Sequence, residues 1–393
     1  METKSVQRRY DLDWLRVLAF SAVFLYHCSR FFDSDGWHIK NSTSSPLVDT
    51  LKSIFDLWGM PLIFMVSGAA IFFALRPGKA FRFLQDKVWR LLVPLALGIL
   101  VLGPPQMYLT RLTHGQFQGS FLEYLPLYFR DWRLWNGDFQ WTGVHLWYLA
   151  YLFLFTLVLL PLFAALKSRT GQRVTGFIAR LSARPGVIFL WVLPGVLLII
   201  LGDPYGLMGP APTEDVTRLF LFPFVIYGFL VFSDLRIQQA IIRQRWIALV
   251  LALVLILVSP VITGILEGDP SYPVYALGIL LVGVLMWSCL LAVLGFGMHY
   301  LTANNRLLAY ANEAVLPFYV LHQPVILIIG FFVISLPIPI LAKYLMIVTL
   351  AFGITLSLYE FGIRRVNPVR RVFGLKPRKQ ATTTVELAAQ PLS

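Results

Sequence analysis

What most constrains this chain is a succession of apolar stretches, each close to the length needed to cross a lipid bilayer. A helical span takes about 20 mostly apolar residues. Ten stretches approach that length: roughly 12–32, 53–75, 88–109, 144–166, 186–203, 217–233, 246–267, 272–299, 314–335 and 339–361. The fifth is interrupted by Pro194-Gly195 and the sixth carries Pro223. Proline is tolerated in spans, where neighbouring helices satisfy the freed carbonyl. The expected fold is all-α, a polytopic transmembrane helical bundle of about ten spans.

Composition agrees. Of 393 residues, 58% are hydrophobic and 13% charged, against roughly 45–50% and 25% in soluble domains. Such a chain could not cover a soluble surface with polar groups. The mean hydropathy of +0.71 excludes a disordered chain. Two cysteines, Cys28 and Cys289, exclude a disulfide-stapled fold. Both sit in apolar runs and are expected as buried free thiols.

The net charge of +13 is spread over alternate connections. Arg8 and Arg9, the 76–90 turn, the 167–185 loop, Arg236, Arg243, Arg245, Arg306 and the tail from Arg364 form one set. The other set carries acids, among them Asp33, Asp35, Asp49, Glu123, Asp131, Asp138, Asp203, Glu214, Asp215, Glu267 and Asp269. Positive loops stay cytoplasmic, so both termini are expected in the cytoplasm. Charge dispersed in this way does not form a nucleic-acid site, and no nucleic-acid partner is expected. Arg16 and His27 within the first apolar run argue against a cleaved signal peptide. No internal repeat is visible. Residues 1–365 are expected to form the membrane domain, and 366–393 a basic cytoplasmic tail, disordered at its end. The longest connection, 110–143, falls outside and is rich in aromatics, including Phe117, Tyr124, Tyr128, Trp132, Trp135, Phe139 and Trp141. Part of it is expected to lie flat at the interface. Asn41-Ser42-Thr43, on an external loop, has the form of a glycosylation acceptor.

Ionisable residues within spans are costly and are functional candidates. Arg16 and His27 are eleven residues apart. On a helix this brings them to one face, about 16 Å apart along the axis. Asp13, three residues earlier, can pair with Arg16. Snorkelling to the two headgroup layers would account for either residue singly. A neutral histidine is suited to take a proton from a hydroxyl.

The segment Leu12-Asp13-Trp14-Leu15-Arg16, followed after ten residues by His27, resembles the first span of the acyltransferase-3 family of integral membrane acyltransferases. Further segments resemble the same family in order: Phe64-Met65-Val66-Ser67-Gly68, Arg90-Leu91-Leu92-Val93-Pro94, His145-Leu146-Trp147-Tyr148-Leu149, and Leu316-Pro317-Phe318-Tyr319-Val320-Leu321-His322-Gln323-Pro324. The last is most similar to the branch containing glucan biosynthesis acyltransferases. The resemblance implies transfer of an acyl group, acetyl or succinyl, from cytoplasmic acyl-CoA to a hydroxyl of a glycan-type acceptor at the outer side. Arg16 and Arg90 then suit the CoA phosphates, with no G-x-x-x-x-G-K-[ST] loop present to do so. His27 is the expected general base. His145, Trp147 and Tyr148 are candidates for stabilising the oxyanion. His322 is either a donor-site or supporting residue or a satisfied histidine of the bundle.

Tyr319 and Ser67 are expected to pack. Glu313 is expected to be solvated, and His38, His114 and His299 to be unremarkable loop or span-end residues. Lys343 and Arg30 are outer-boundary cations that either snorkel or meet a carboxylated acyl group. No spacing indicates a metal, and no permanently bound cofactor is expected; acyl-CoA is a substrate. Oligomeric state is not legible. The competing reading is a multispan transporter or export component, which accommodates spans, charges and broken helices but has no need of the Arg16–His27 pair together with the His145–Leu149 segment.

Overall fold

The computed structural model describes residues 8–130, 141–202, 218–268 and 271–378, all of it helix, turn or loop with no strand among them. Expectations placed on Trp132, Trp135, Phe139, the acids at 131, 138, 203, 214, 215 and 269, and the end of the tail lie outside the described residues.

In chain order the helices are α1 (Tyr10–Ser29), α2 (Pro46–Ala74), α3 (Ala80–Thr113), α4 (Phe121–Arg130), α5 (Val144–Leu166), α6 (Arg169–Ser182), α7 (Val187–Leu201), α8 (Phe222–Ser233), α9 (Leu235–Glu267), α10 (Tyr272–Tyr300), α11 (Arg306–Val333), α12 (Ile340–Ile363) and α13 (Asn367–Val372). Seven of them, α2, α3, α5, α9, α10, α11 and α12, are long and apolar enough to cross a membrane. The other three expected spans correspond to α1, which is 20 residues long and polar at its start, and to the shorter apolar helices α7 and α8.

The helix that carries the first motif packs along the helix that carries the last. Asp13 Oδ1 accepts from Asn312 Nδ2 at 2.8 Å, the Phe20 and Tyr319 rings meet edge-on at 5.1 Å, and His27 meets His322. Contacts that advance together along both chains make α1 and α11 parallel. This pair defines an Arg16 end and a His27 end of the bundle.

Small residues set the approach of α2 to α8. A methyl group on Gly68 would fall on the Val225 carbonyl, and one on Gly228 on the Met65 carbonyl. This is the small-residue packing that membrane interfaces favour. Proline shapes α3, which contains two wide turns, Val88–Leu92 and Gly98–Leu102, just before Pro94 and Pro104. Each proline lacks an N–H and crowds the preceding turn, and the helix loosens to a five-residue repeat there. The Ile99 carbonyl in the second wide turn takes its hydrogen bond from the Tyr128 hydroxyl at 2.8 Å. Tyr128 belongs to α4, which buries Tyr124 and Tyr128 and leaves Leu122, Leu127 and Phe129 exposed. An amphipathic helix of this kind suits an interface.

One expectation is corrected at the periphery. Glu313 is not simply solvated: its carboxylate receives Arg370 Nη1 at 2.6 Å, and Arg370 is buried. That pair folds α13 and the residues after it back against the bundle, where Phe373 joins the core. In the Asn41-Ser42-Thr43 triplet, Asn41 Oδ1 accepts from Lys343 Nζ at 2.8 Å and Asn41 Nδ2 donates to Thr43. Cys28 and Cys289 are free and buried.

Candidate active site

Three imidazoles from three helices meet at the His27 end. The His27 and His322 rings are parallel with centroids 5.0 Å apart, and His145 stands edge-on to His322 at 5.3 Å. His145 and His322 are buried, whereas His27 is partly exposed.

The hydrogen bonds determine which nitrogen carries each proton. His322 Nδ1 lies 2.6 Å from the Tyr319 carbonyl. A carbonyl only accepts, so this nitrogen bears the proton, and Nε2 of the neutral ring is an acceptor. His322 Nε2 lies 2.8 Å from His27 Nδ1, which must therefore donate. The proton of neutral His27 is thus held on Nδ1, and Nε2 keeps its lone pair. A backbone carbonyl, acting through one histidine, sets the tautomer of the next.

His145 is held by the same stretch of α11. Its Nε2 donates to the Val320 carbonyl at 3.1 Å, and its own carbonyl accepts from the Tyr319 hydroxyl at 2.6 Å. The Val320 carbonyl is available because the residue four positions on is Pro324, which has no N–H. Tyr319, expected only to pack, therefore fixes both other histidines, one through its hydroxyl and one through its carbonyl. His145 Nδ1 is buried with no partner among the described residues. The backbone entering this segment is strained: Gly143 has φ 71° and Val144 has φ 59°. Such values are rare for a β-branched side chain and cluster at functional sites.

The other expected residues lie around this core. The Tyr148 hydroxyl is 2.6 Å from Ser67 Oγ. Ser67 spends its own proton on the Ile63 carbonyl at 2.8 Å, so Tyr148 is the donor of the pair. The Trp147 ring stacks on Phe64 at 6.3 Å, and the Arg218 guanidinium sits 5.0 Å from its centroid.

His38 was undervalued by sequence. Its Nδ1 lies 2.7 Å from Thr110 Oγ1, whose proton goes to the Gln106 carbonyl, and its Nε2 lies 3.3 Å from Gln323 Nε2. His38 therefore carries its proton on Nδ1 and accepts from the amide next to His322. Burial, reinforced by the nearby charges of His114 and Arg30, pushes its pKa down to about 4.

At the Arg16 end, Arg16 Nη2 is 3.2 Å from Asp13 Oδ1, and Arg16 Nε is buried with no partner among the described residues. Arg90 and Lys87 lie close enough for their charges to act on Arg16 and on each other, and Asp86 is in range of Arg90. Lys87, counted by sequence only as a loop cation, is thus the residue the motif reading missed. Its position three before Arg90 puts both on one helical face. Arg16 and His27 stand on one unbroken helix, the Tyr148 hydroxyl is within electrostatic range of Arg16 and Arg90, and Tyr148 and Tyr319 pack edge-on at 5.8 Å. The tyrosines thus link the cation cluster to the imidazoles.

A bundle of apolar helices with an oriented imidazole at one end and a surplus of cations at the other has the parts of a membrane acyl-transfer enzyme. Residues 9–360 match the acyltransferase-3 family, described as an acyltransferase domain. The chain belongs to that family and is an integral membrane acyltransferase. It is similar over most of its length to proteins named glucans biosynthesis protein C. Those of Salmonella paratyphi B and Salmonella heidelberg are each 23% identical over 403 aligned positions, covering 96% of this chain and 97% of the relative. No solved structure matches the chain.

Proposed function

We propose that the protein moves an acyl group from cytoplasmic acyl-CoA to a hydroxyl of a glucan-type acceptor at the outer face of a bacterial inner membrane. In this reading α1, α7 and α8 complete a set of ten spans, both termini are cytoplasmic, and the Arg16 end is the inner one. The name of the relatives supports the acceptor class. The observation that carries the reading is the oriented His27, whose bare Nε2 stands on the same helix as Arg16, about 16 Å away along the axis.

Arg16, Lys87 and Arg90 hold the CoA phosphates, and the pantetheine arm carries the thioester toward the imidazoles. His27 Nε2 takes the acceptor hydroxyl proton as the oxygen attacks the thioester carbonyl carbon. The carbon–sulfur bond breaks, and the sulfur takes the proton back from His27. The products are an ester and free CoA.

Both nitrogens of His322 are engaged within the protein, so it acts as a positioning residue and not in donor binding. Tyr148 spends its proton on Ser67, and neutral His145 spends its own on Val320. The indole N–H of Trp147 is therefore our candidate for the oxyanion. The bare Nδ1 of His145 can accept from a substrate N–H or O–H.

The test is thiol release by purified protein in liposomes, offered acetyl-CoA or succinyl-CoA with and without glucan. Free thiol that depends on glucan and on His27 supports the reading and names the donor. A folded protein releasing none with any donor overturns it in favour of a transporter.

A further inference from the structure

At the His27 end, the loop after α1 and the turn between α11 and α12 line an open cavity of about 820 Å³. This is within the range of small-molecule sites. One wall is polar and includes Asn41, Ser42, Thr43 and Thr113, and the other is the largely apolar 331–340 turn. Two lysines line it, and no acid does. Lys40 is already compensated, with its Nζ 2.7 Å from the Asp33 carboxylate.

Lys343 is not compensated. It is 7% exposed, and its two hydrogen-bond partners are neutral: Asn41 Oδ1 at 2.8 Å and the Ile334 carbonyl at 2.6 Å. No carboxylate lies within ion-pair distance of it among the described residues. An ammonium has three N–H donors, so one is left over. A buried charge without a counter-ion is costly, and an anion in the cavity would supply both the missing charge and the missing acceptor.

The cavity adjoins the imidazole cluster. Thr113 Oγ1 donates to the His38 carbonyl at 3.1 Å, and the His38 ring receives Gln323, the neighbour of His322. Asn41 follows His38 by three residues, at most about 10 Å of chain.

We propose that this cavity is a subsite for an oxyanion, a carboxylate or phosphate group borne by the hydroxyl-rich acceptor, with Lys343 as its cation and the hydroxyl and amide wall taking neighbouring sugar hydroxyls. Only the nature of the occupant rests on the acyltransferase reading. Anion binding itself does not.

Lys343 also donates to the Ile334 carbonyl at the C-terminal end of α11, which favours a cation there, so the test separates the two duties. Thermal unfolding of the protein in detergent is followed with succinate, glycerol 1-phosphate and, as neutral control, glycerol, at matched ionic strength. The expected result is a saturable rise in Tm with both anions and none with glycerol. Lys343→Gln removes the rise. Ser42→Trp, which fills the cavity and leaves both Lys343 bonds intact, also removes it without lowering the Tm of the anion-free protein.

A rise that persists in Ser42→Trp, or no rise in the wild type, overturns the subsite. A rise seen only with vesicles containing phosphatidylglycerol, and not with the soluble anions, overturns the acceptor in favour of a lipid headgroup. With glucans in the transfer assay, Lys343→Gln is expected to raise KM at least tenfold for a carboxylated glucan and to leave KM for a neutral one unchanged; equal effects on both overturn the acceptor assignment. Anion binding by a protein that releases no thiol leaves the subsite standing and removes only the proposed reaction.

Discussion

His27 Nδ1 and His322 Nε2 stand 2.8 Å apart, and the Tyr319 carbonyl on the far side of His322 determines which of them donates. For the base role proposed for His27, the arrangement does what a buried carboxylate does in other enzymes' acyl-transfer sites: it fixes the tautomer and the ring orientation. It does so without placing a negative charge in the membrane, where such a charge is expensive.

Replacing the second histidine should therefore lower turnover rather than donor affinity. For His322→Ala, kcat is expected to fall by roughly 10²-fold, within the usual range for acid–base catalysis, with KM for acyl-CoA unchanged. His322→Gln, whose amide oxygen can still accept from His27 Nδ1, should recover much of the loss. Steady-state thiol release by the two variants decides the matter. If alanine and glutamine are equally impaired, or if donor KM rises, the tautomer argument fails.

His27→Ala should lose transfer by roughly 10²–10⁴-fold while the protein still inserts and elutes as the wild type does. The measurement is thiol release paired with size-exclusion profiles in detergent. Near-normal release would remove His27 from the base role.

The cation cluster, proposed to hold the donor, makes the opposite kinetic prediction. Lys87→Ala and Arg90→Ala should each raise donor KM with little effect on kcat, by about tenfold for a contact of about 1.4 kcal/mol. The effect should weaken with added salt most clearly at Arg90, which is exposed and so open to solvent screening. Arg16→Ala should behave alike, because Asp13 keeps Arg8 and Asn312 as partners and is not left unpaired. Unchanged donor KM in all three variants would return the cluster to a structural role.

The sequence pattern located the helices well because apolar length is a local property. The α5 boundaries, Val144–Leu166, coincide with the apolar run read there. The short α7 and α8 lie where Pro194 and Pro223 already weakened the pattern. At the site, the spacing of Arg16 and His27 was legible because one helix carries both. What escaped were relationships created by packing. Nothing in the order of residues says that the Tyr319 carbonyl faces His322, that the carbonyl freed by Pro324 receives His145, or that the loop residue His38 reaches Gln323 across 285 positions. Lys87 was obscured by the counting of charges per loop, which ignores helical phase.

His38 gives the fold a pH dependence of predictable sign. Its pKa of about 4 in the folded protein lies below the ordinary value of 6.5. Between those values the unfolded chain binds a proton that the folded one refuses, so stability falls as pH drops from about 6.5 toward 4. Tm measured across this window should fall less steeply in His38→Gln, whose side chain does not titrate. Parallel curves for the two proteins would show that other groups govern the acid limb.

The segment after α12 is held to the bundle by one buried cation. Arg370 is buried, and it donates to Glu313, to the Lys376 carbonyl and to the Arg364 carbonyl. Glu313 is 31% exposed, so solvent weakens the pair, but removing the carboxylate still leaves a buried guanidinium short of a partner. In Glu313→Gln the folded segment 367–378 should detach more readily, and trypsin should cut after Arg370 and Arg371 severalfold faster than in the wild type. Gly374 adds a second handle. It holds φ 72°, where only glycine is unstrained, and a methyl group there would meet the Arg90 backbone. Gly374→Val should therefore release the same segment and, because Arg90 belongs to the cation cluster, raise donor KM as well. Faster cleavage in Gly374→Val with an unchanged donor KM would show that the segment seals the bundle without shaping the donor site.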